Sequence, residues 1–151
     1  MIGANRTGTL IRLLTERTGT GKLRLGPEER ECVAFANRLR QLSITGELRA
    51  VWTHIPNELA GASDKTQSNL AKIRYAIGKA MGMVAGAADY VFLAESGSFC
   101  IEMKSSTGKQ TANQSDFQAW CEMIGVPYAI ARSAAEAEEC LQRWQLLRKQ
   151  P

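Results

Sequence analysis

Apolar positions recur along this chain at spacings that change from segment to segment, and the changes mark its elements. Over residues 27–42, Cys32, Phe35, Leu39 and Leu42 fall three or four apart, the period of one buried helical face. Pro27 with Glu28 and Glu29 reads as the start of that helix, because proline suits the first turn and carboxylates suit the positive dipole end. Residues 48–55 alternate and predict a strand, closed by Pro56-Asn57. Residues 57–66 are polar, with Gly61 and Asp64, and predict a loop. Leu70, Ile73, Ile77 and Met81 mark a second helix, although Gly78 weakens its end. The run Gly82-Met83-Val84-Ala85-Gly86 cannot sustain a helix and predicts a shaped loop.

Residues 89–94 and 99–104 predict two strands of a hairpin around Glu95-Ser96-Gly97-Ser98. Thr111 to Ile124 predicts a third helix with Phe117, Cys121 and Ile124 inward, stopped by Gly125. Residues 126–131 predict a fourth strand. Ser133 caps a last helix, with Glu136 in the capping-box position. The predicted order is α-β-α-β-β-α-β-α without repeats, a mixed-sheet α/β (α+β) domain over residues 27–151. Ahead of it, residues 1–26 are rich in Gly, Thr and Arg and have poor periodicity. Only Leu10, Ile11, Leu13 and Leu14 suggest a short helical turn there, so the segment is expected to be a loosely ordered basic arm.

Composition narrows the class. The 151 residues suffice for one domain with a real core, and 44% hydrophobic with 23% charged residues is ordinary for a globular chain. No stretch approaches the ~18 apolar residues of a membrane span, and no secretory signal is visible. Cys32, Cys100, Cys121 and Cys140 are scattered without a CxxC pair, which suits reduced, buried thiols and a cytoplasmic setting. The net charge of +4 resides in the arm, where Arg6, Arg12, Arg17, Lys22 and Arg24 oppose only Glu16. Residues 65–109 add a second basic stretch, with six basic residues against Asp89, Glu95 and Glu102. Such a distribution suits a polyanionic partner.

The hairpin holds the candidate chemistry. Glu102 and Lys104 are two apart in a strand and share a face, while Met103 points to the other. Asp89 begins the partner strand, and a short hairpin sets the start of one strand beside the end of the other. Asp89, Glu102 and Lys104 are therefore expected to converge. Mg²⁺ or Mn²⁺ takes hard oxygen donors and retains waters, so Asp89, Glu102 and the Met103 carbonyl form an adequate ligand set. Such an ion polarises a phosphoryl oxygen and acidifies water, and Lys104 is suited to orient that water or offset negative charge. The plain alternative is a Glu–Lys pair on a hairpin surface, worth little.

The stretch from Gly82 through Asp89 to Phe92, followed by Ile101-Glu102-Met103-Lys104 and then Gln114, resembles the VRR-NUC family of the PD-(D/E)XK nuclease superfamily. His54-Ile55-Pro56-Asn57 resembles an H-x-P-N segment found in phage-type members. The likeness covers residues 28–147 and departs where two loop prolines are replaced by Ala85 and Ala88. It implies a restriction-endonuclease-like core and an Mg²⁺- or Mn²⁺-dependent deoxyribonuclease. It further implies a homodimer that acts on branched DNA such as Holliday junctions, and an active-site role for Gln114. Gln114 also lies on the inward stripe of its own helix with Phe117 and Cys121.

In the superfamily the first helix adds a glutamate. Glu28 and Glu31 lie on the Phe35/Leu39 face, from which Glu29 points about 100° away; Glu31, closer to the core stripe and four residues before Phe35, is preferred, and Glu28 comes second. Candidate substrate contacts are His54, Asn57, Lys79, Gly86 and Lys109. His54, the sole histidine, serves equally well as a structural residue, and alone it excludes His-rich zinc sites and paired-histidine nucleases. Residues 18–23 echo a P-loop but lack its first glycine and its Ser/Thr, so no nucleotide cofactor is expected from them. Trp52, Trp120 and Trp144 fall in amphipathic elements and are expected to pack in the core or a dimer. The competing function is a non-catalytic DNA-binding scaffold, favoured by the softened loop. A third reading is an interaction protein with no nucleic-acid role, the hairpin charges being ordinary surface pairs.

Overall fold

The computed structural model describes residues 4–15, 24–56 and 69–148. In chain order they form α1 (Ala4–Thr15), α2 (Pro27–Ile44), β1 (Ala50–His54), α3 (Asn69–Ala80), β2 (Tyr90–Ala94), β3 (Gly97–Met103), α4 (Ala112–Ile124), β4 (Tyr128–Ala131) and α5 (Ala134–Arg143). The architecture is mixed α/β, and from Pro27 onward the elements follow the expected order. This is compatible with the nuclease-like α+β core that the resemblance implies.

The four strands lie in the order β1-β2-β3-β4. The first three are antiparallel neighbours, and β4 runs parallel to β3. A parallel pair needs a crossover, which α4 supplies. The β2–β3 turn is tighter than the four residues expected from sequence: Glu95-Ser96 alone connect Ala94 to its partner Gly97. Gly97 sits at φ +134°, a conformation that a side chain disfavours.

Period-two alternation divides the sheet residues between two layers. On one face Tyr90, Phe92, Phe99, Ile101 and Met103 pack against Phe35, Leu39 and Leu42 of α2 and against Ala137, Cys140 and Leu141 of α5. Phe35 meets Tyr90 edge-on, with ring centroids 5.1 Å apart. Each fully buried Phe or Leu in this layer is worth about 1.5–3 kcal/mol. On the other face Ala88 and Cys100 meet Cys121 of α4, with Val91, Phe117 and Tyr128 around them. Cys100 and Glu102 thus belong to the α4 side, while Met103 reaches the main core. The four cysteines are free thiols, and all but Cys32 are buried.

One expectation needs correction, and two further placements come from the structure alone. The N-terminal segment is not wholly irregular, since Ala4–Thr15 is a helix that rests against α2. Thr7, Leu10 and Leu14 are its half-buried residues, spaced three and four apart. Thr and Gly8 lower the intrinsic propensity, so tertiary contact rather than composition supports this helix. The stripe of Leu70, Ile73 and Ile77 belongs to the expected helix, α3, with Met81 just past its end, and is exposed. Of the tryptophans, Trp120 is exposed, while Trp52 donates to Ser43 Oγ at 3.0 Å and Trp144 packs on Phe99. Among the described residues, no helix is long and apolar enough to cross a membrane.

Candidate active site

Strand register brings the chemistry together. Tyr90 opposes Ile101, so Asp89 stands at the next rung, across from Glu102. The backbone closes around that position at several points. Ile55 N–H donates to the Asp89 carbonyl at 2.7 Å, and Lys104 N–H donates to the Ala131 carbonyl at 2.9 Å. Asp89 Oδ2 accepts from the Met103 N–H at 2.7 Å, which fixes its carboxylate against β3. Lys104, just beyond β3, returns its ammonium to Glu102 Oε1 at 3.0 Å.

Burial singles out this group. Asp89 (8% exposed), Glu102 (0%) and Lys104 (6%) are the buried polar or charged residues among those described. Removing charges from water is costly unless they are paired or bind a cation. Burial pushes the Asp89 carboxyl above its ordinary range, and the charge of Glu28 adds to the rise. The Met103 N–H, His54 and Lys104 pull the other way. For Glu102, burial first and the charge of Asp89 second push the carboxyl up to about 7, against the opposing pull of Lys104. Carboxyls perturbed in this manner cluster at functional sites.

Gln114 reaches the group from α4. Its backbone N–H donates to Thr111 Oγ1 at 3.3 Å, and its Oε1 accepts from the Thr111 N–H at 2.9 Å, a complete capping box. Its Nε2 then donates to Glu102 Oε1. Gly86 makes this approach feasible. At φ +84° it lies so close to the Asn113–Gln114 peptide that an added Cβ would strike backbone atoms. Gly86 therefore positions α4 as well as shaping the loop.

Of the two helix glutamates, Glu28 lies nearer the cluster than Glu31, the one preferred from sequence. Glu31 Oε2 accepts from the Ala134 N–H at 2.8 Å and serves the start of α5. Glu28 Oε2 accepts from the Ser105 N–H at 3.3 Å, one residue past Lys104, and its charge is felt by Asp89. One turn of helix separates the two, and the docking angle of α2 decides between them. His54 opposes Tyr90 with ring centroids 5.1 Å apart, and its charge lowers the Asp89 carboxyl. It thus borders the site. Lys109 is exposed in the loop after β3, and Lys79 is exposed in the last turn of α3. Neither is among the charges that shift the Asp89 and Glu102 carboxyls. Asn57 lies outside the described residues.

Two contributors went unread in the sequence. Tyr128 opposes Cys100 beside Glu102, and burial, then the charge of Glu102, raise its phenol above the ordinary value. Arg132 donates from Nη1 to the carbonyls of Ser105 at 2.6 Å and Gly108 at 3.0 Å, pinning the loop that leaves Lys104. A lone arginine after a strand carries no local signal of that role.

The donors suit a small divalent cation. Mg²⁺ or Mn²⁺ needs few protein anions, keeps several waters, and takes carboxylate and carbonyl oxygens. Asp89, Glu102 and the Met103 carbonyl are such oxygens. Glu102 Oε2 is buried with no hydrogen-bond partner among the described residues, an energetic penalty that a cation would remove. No set of three or more His, Cys, Asp or Glu side chains is gathered as a cage among the described residues. Comparison of the chain with protein-family models, with curated proteins and with solved structures finds no match.

Proposed function

We propose that this chain is a metal-dependent nuclease that hydrolyses DNA phosphodiester bonds. One observation carries the reading: Asp89, Glu102 and Lys104 are buried together at one end of the sheet, and one Glu102 oxygen lacks a partner among the described residues. Asp89, Glu102 and the Met103 carbonyl would hold Mg²⁺ or Mn²⁺, which when bound supplies Lewis acidity toward a phosphoryl oxygen. The rest falls to the chain's own residues. Lys104 sets a fixed positive charge where negative charge develops on phosphorus, and burial strengthens that interaction. Gln114 holds Glu102 in orientation, Glu28 adds negative charge at the rim, and His54 borders the substrate side. The net charge of +4 favours a polyanion. A branched DNA substrate, a homodimer and a cytoplasmic setting are parts of this proposal that rest on the family resemblance.

The second reading is a DNA-binding scaffold without activity. It is favoured by the partners that the cluster already holds, with Lys104 and Gln114 on Glu102 Oε1 and the Met103 N–H on Asp89. A cleavage assay on linear, flapped and four-way DNA, with Mg²⁺ and with Mn²⁺, separates the two. The nuclease reading expects metal-dependent cutting that falls by about 100-fold or more in Asp89→Asn and Lys104→Ala. Equal turnover in wild type and both variants removes the proposed site, and DNA binding without cutting at any metal concentration selects the scaffold.

A further inference from the structure

A cavity of about 930 Å³ opens between the C-terminal halves of α2 and α5 and the chain around Arg49 and Arg148. It lies at the opposite end of β1 from Asp89. Five strand residues separate Arg49 from Ile55, about 17 Å of extended backbone. The cavity shares no residue with the catalytic cluster, so its ligand chemistry is independent of the nuclease reading.

Its arginines differ in employment. Arg38 is engaged by Glu138 through two hydrogen bonds of 2.8 Å. Arg49 and Arg148 are anchored only by their backbones. The Arg49 N–H donates to Leu146 at 2.7 Å, and the Arg148 N–H donates to Glu47 at 2.8 Å, beside the Leu48–Leu147 bridge. Their guanidinium groups have no partner among the described residues, and both line the cavity. Two exposed guanidinium groups on backbone-anchored residues at one cavity offer the paired donors that a phosphate accepts.

Gln145 supplies an independent sign. It follows α5 at φ +57°, the non-glycine residue with positive φ among those described. Leu146 N–H donates back to Leu141 at 2.9 Å, completing a helix-stop motif in which glycine is the favoured residue. Glutamine stands there instead, and it lines the cavity beside Gln142 and the apolar Leu147. A side chain in a backbone conformation that disfavours one is a strained position of the kind that occurs at functional sites.

We propose that this cavity binds a nucleoside phosphate. The phosphate sits between Arg49 and Arg148, the base lies against Leu147, and the amides of Gln142 and Gln145 meet its polar edge. The cavity is roomier than a bare phosphate needs. Glu47 and Glu138 also border the cavity, which limits the charge it tolerates and favours a single phosphate over a polyphosphate. Two sources offer this chemistry, a free mononucleotide and the phosphorylated end of a DNA strand.

Isothermal titration of the full chain in metal-free buffer tests it, using adenosine monophosphate, adenosine, inorganic phosphate, and a short oligonucleotide with and without a 5′-phosphate. The expected result is that a phosphorylated nucleoside, free or at the strand end, binds about tenfold or more tightly than adenosine or phosphate. Binding by the mononucleotide alone assigns the free ligand, and binding by the phosphorylated oligonucleotide assigns strand ends. Arg49→Ala and Arg148→Ala each weaken binding about tenfold, while Asp89→Asn leaves it unchanged. Gln145→Gly weakens binding yet raises the melting temperature by about 2 °C, a combination that a purely structural glutamine would not give. Flat titrations for both phosphorylated ligands, or affinities indifferent to both arginine variants, overturn the proposal.

Discussion

Gln114 donates its side-chain amide to Glu102 Oε1, the oxygen that the Lys104 ammonium approaches at 3.0 Å. The other end of the same amide caps α4 through Thr111. One residue thus couples the start of a helix to the orientation of a buried carboxylate, and changes at Gln114 act on both.

Gln114→Ala removes the side-chain half of the capping box and a partner of Glu102. It should lower stability by about 1 kcal/mol, or about 2–4 °C, and reduce cleavage about tenfold or more. Gln114→Glu retains a cap-competent carboxylate but sets a second negative charge against Glu102. Its cleavage should fall further than that of the alanine variant. Thermal melts and a cleavage time course on the two variants check this; a glutamate variant as active as wild type would show that the contact with Glu102 is irrelevant.

The two helix carboxylates should separate cleanly. Glu31→Gln weakens the support of the Ala134 N–H and should cost about 1 kcal/mol with turnover retained. Glu28→Gln removes charge near Asp89 and should alter activity and its metal dependence more than stability. The reverse pattern, with activity lost at Glu31, would restore the residue that sequence favours.

Gly86→Ala places a methyl group against the Asn113–Gln114 peptide and forces alanine to φ +84°. The left-handed backbone alone costs about 1–2 kcal/mol, and the clash displaces α4 from the carboxylates. Melting temperature and activity should fall together. Full activity in a destabilised variant would mean that the loop shift never reaches Gln114.

The metal-free protein should become less stable as pH rises through the interval from 4.5 to about 7. The sign comes from linkage. Glu102 holds its proton more firmly when folded than unfolded, so the folded state binds more protons in that interval and stability declines with increasing pH. Asp89 shifts in the same direction. Glu138, held low by Arg38, works the opposite way, losing its contribution as pH falls below its unfolded value. Melting curves of wild type and Glu102→Gln across this range isolate the Glu102 part. Parallel curves for the two would contradict a raised Glu102.

Local spacing made much of this protein legible. The 3/4 spacing of Phe35, Leu39 and Leu42 identifies the face of α2 that enters the core. The two-residue interval from Glu102 to Lys104, with Asp89 opening the partner strand, places three charged groups at one end of a hairpin, and there they meet. These features depend on helix and strand periods, which any stretch of chain carries within itself.

What spacing leaves open, packing decides. Glu28 and Glu31 share a helix face, and the angle at which α2 docks sends one toward Ser105 and the other to the start of α5. The Leu70–Met81 stripe has the period of a buried face and yet is exposed, because periodicity states which residues share a side and not what lies opposite. Arg132 reaches the loop after Lys104 only because β4 runs parallel beside β3, and Arg49 and Arg148 border one cavity only because the chain returns past the start of β1. The amino-acid sequence alone determined the elements and the charged hairpin, since those arise among near neighbours. The tertiary structure alone decided which distant groups share a site, since that depends on how whole elements pack.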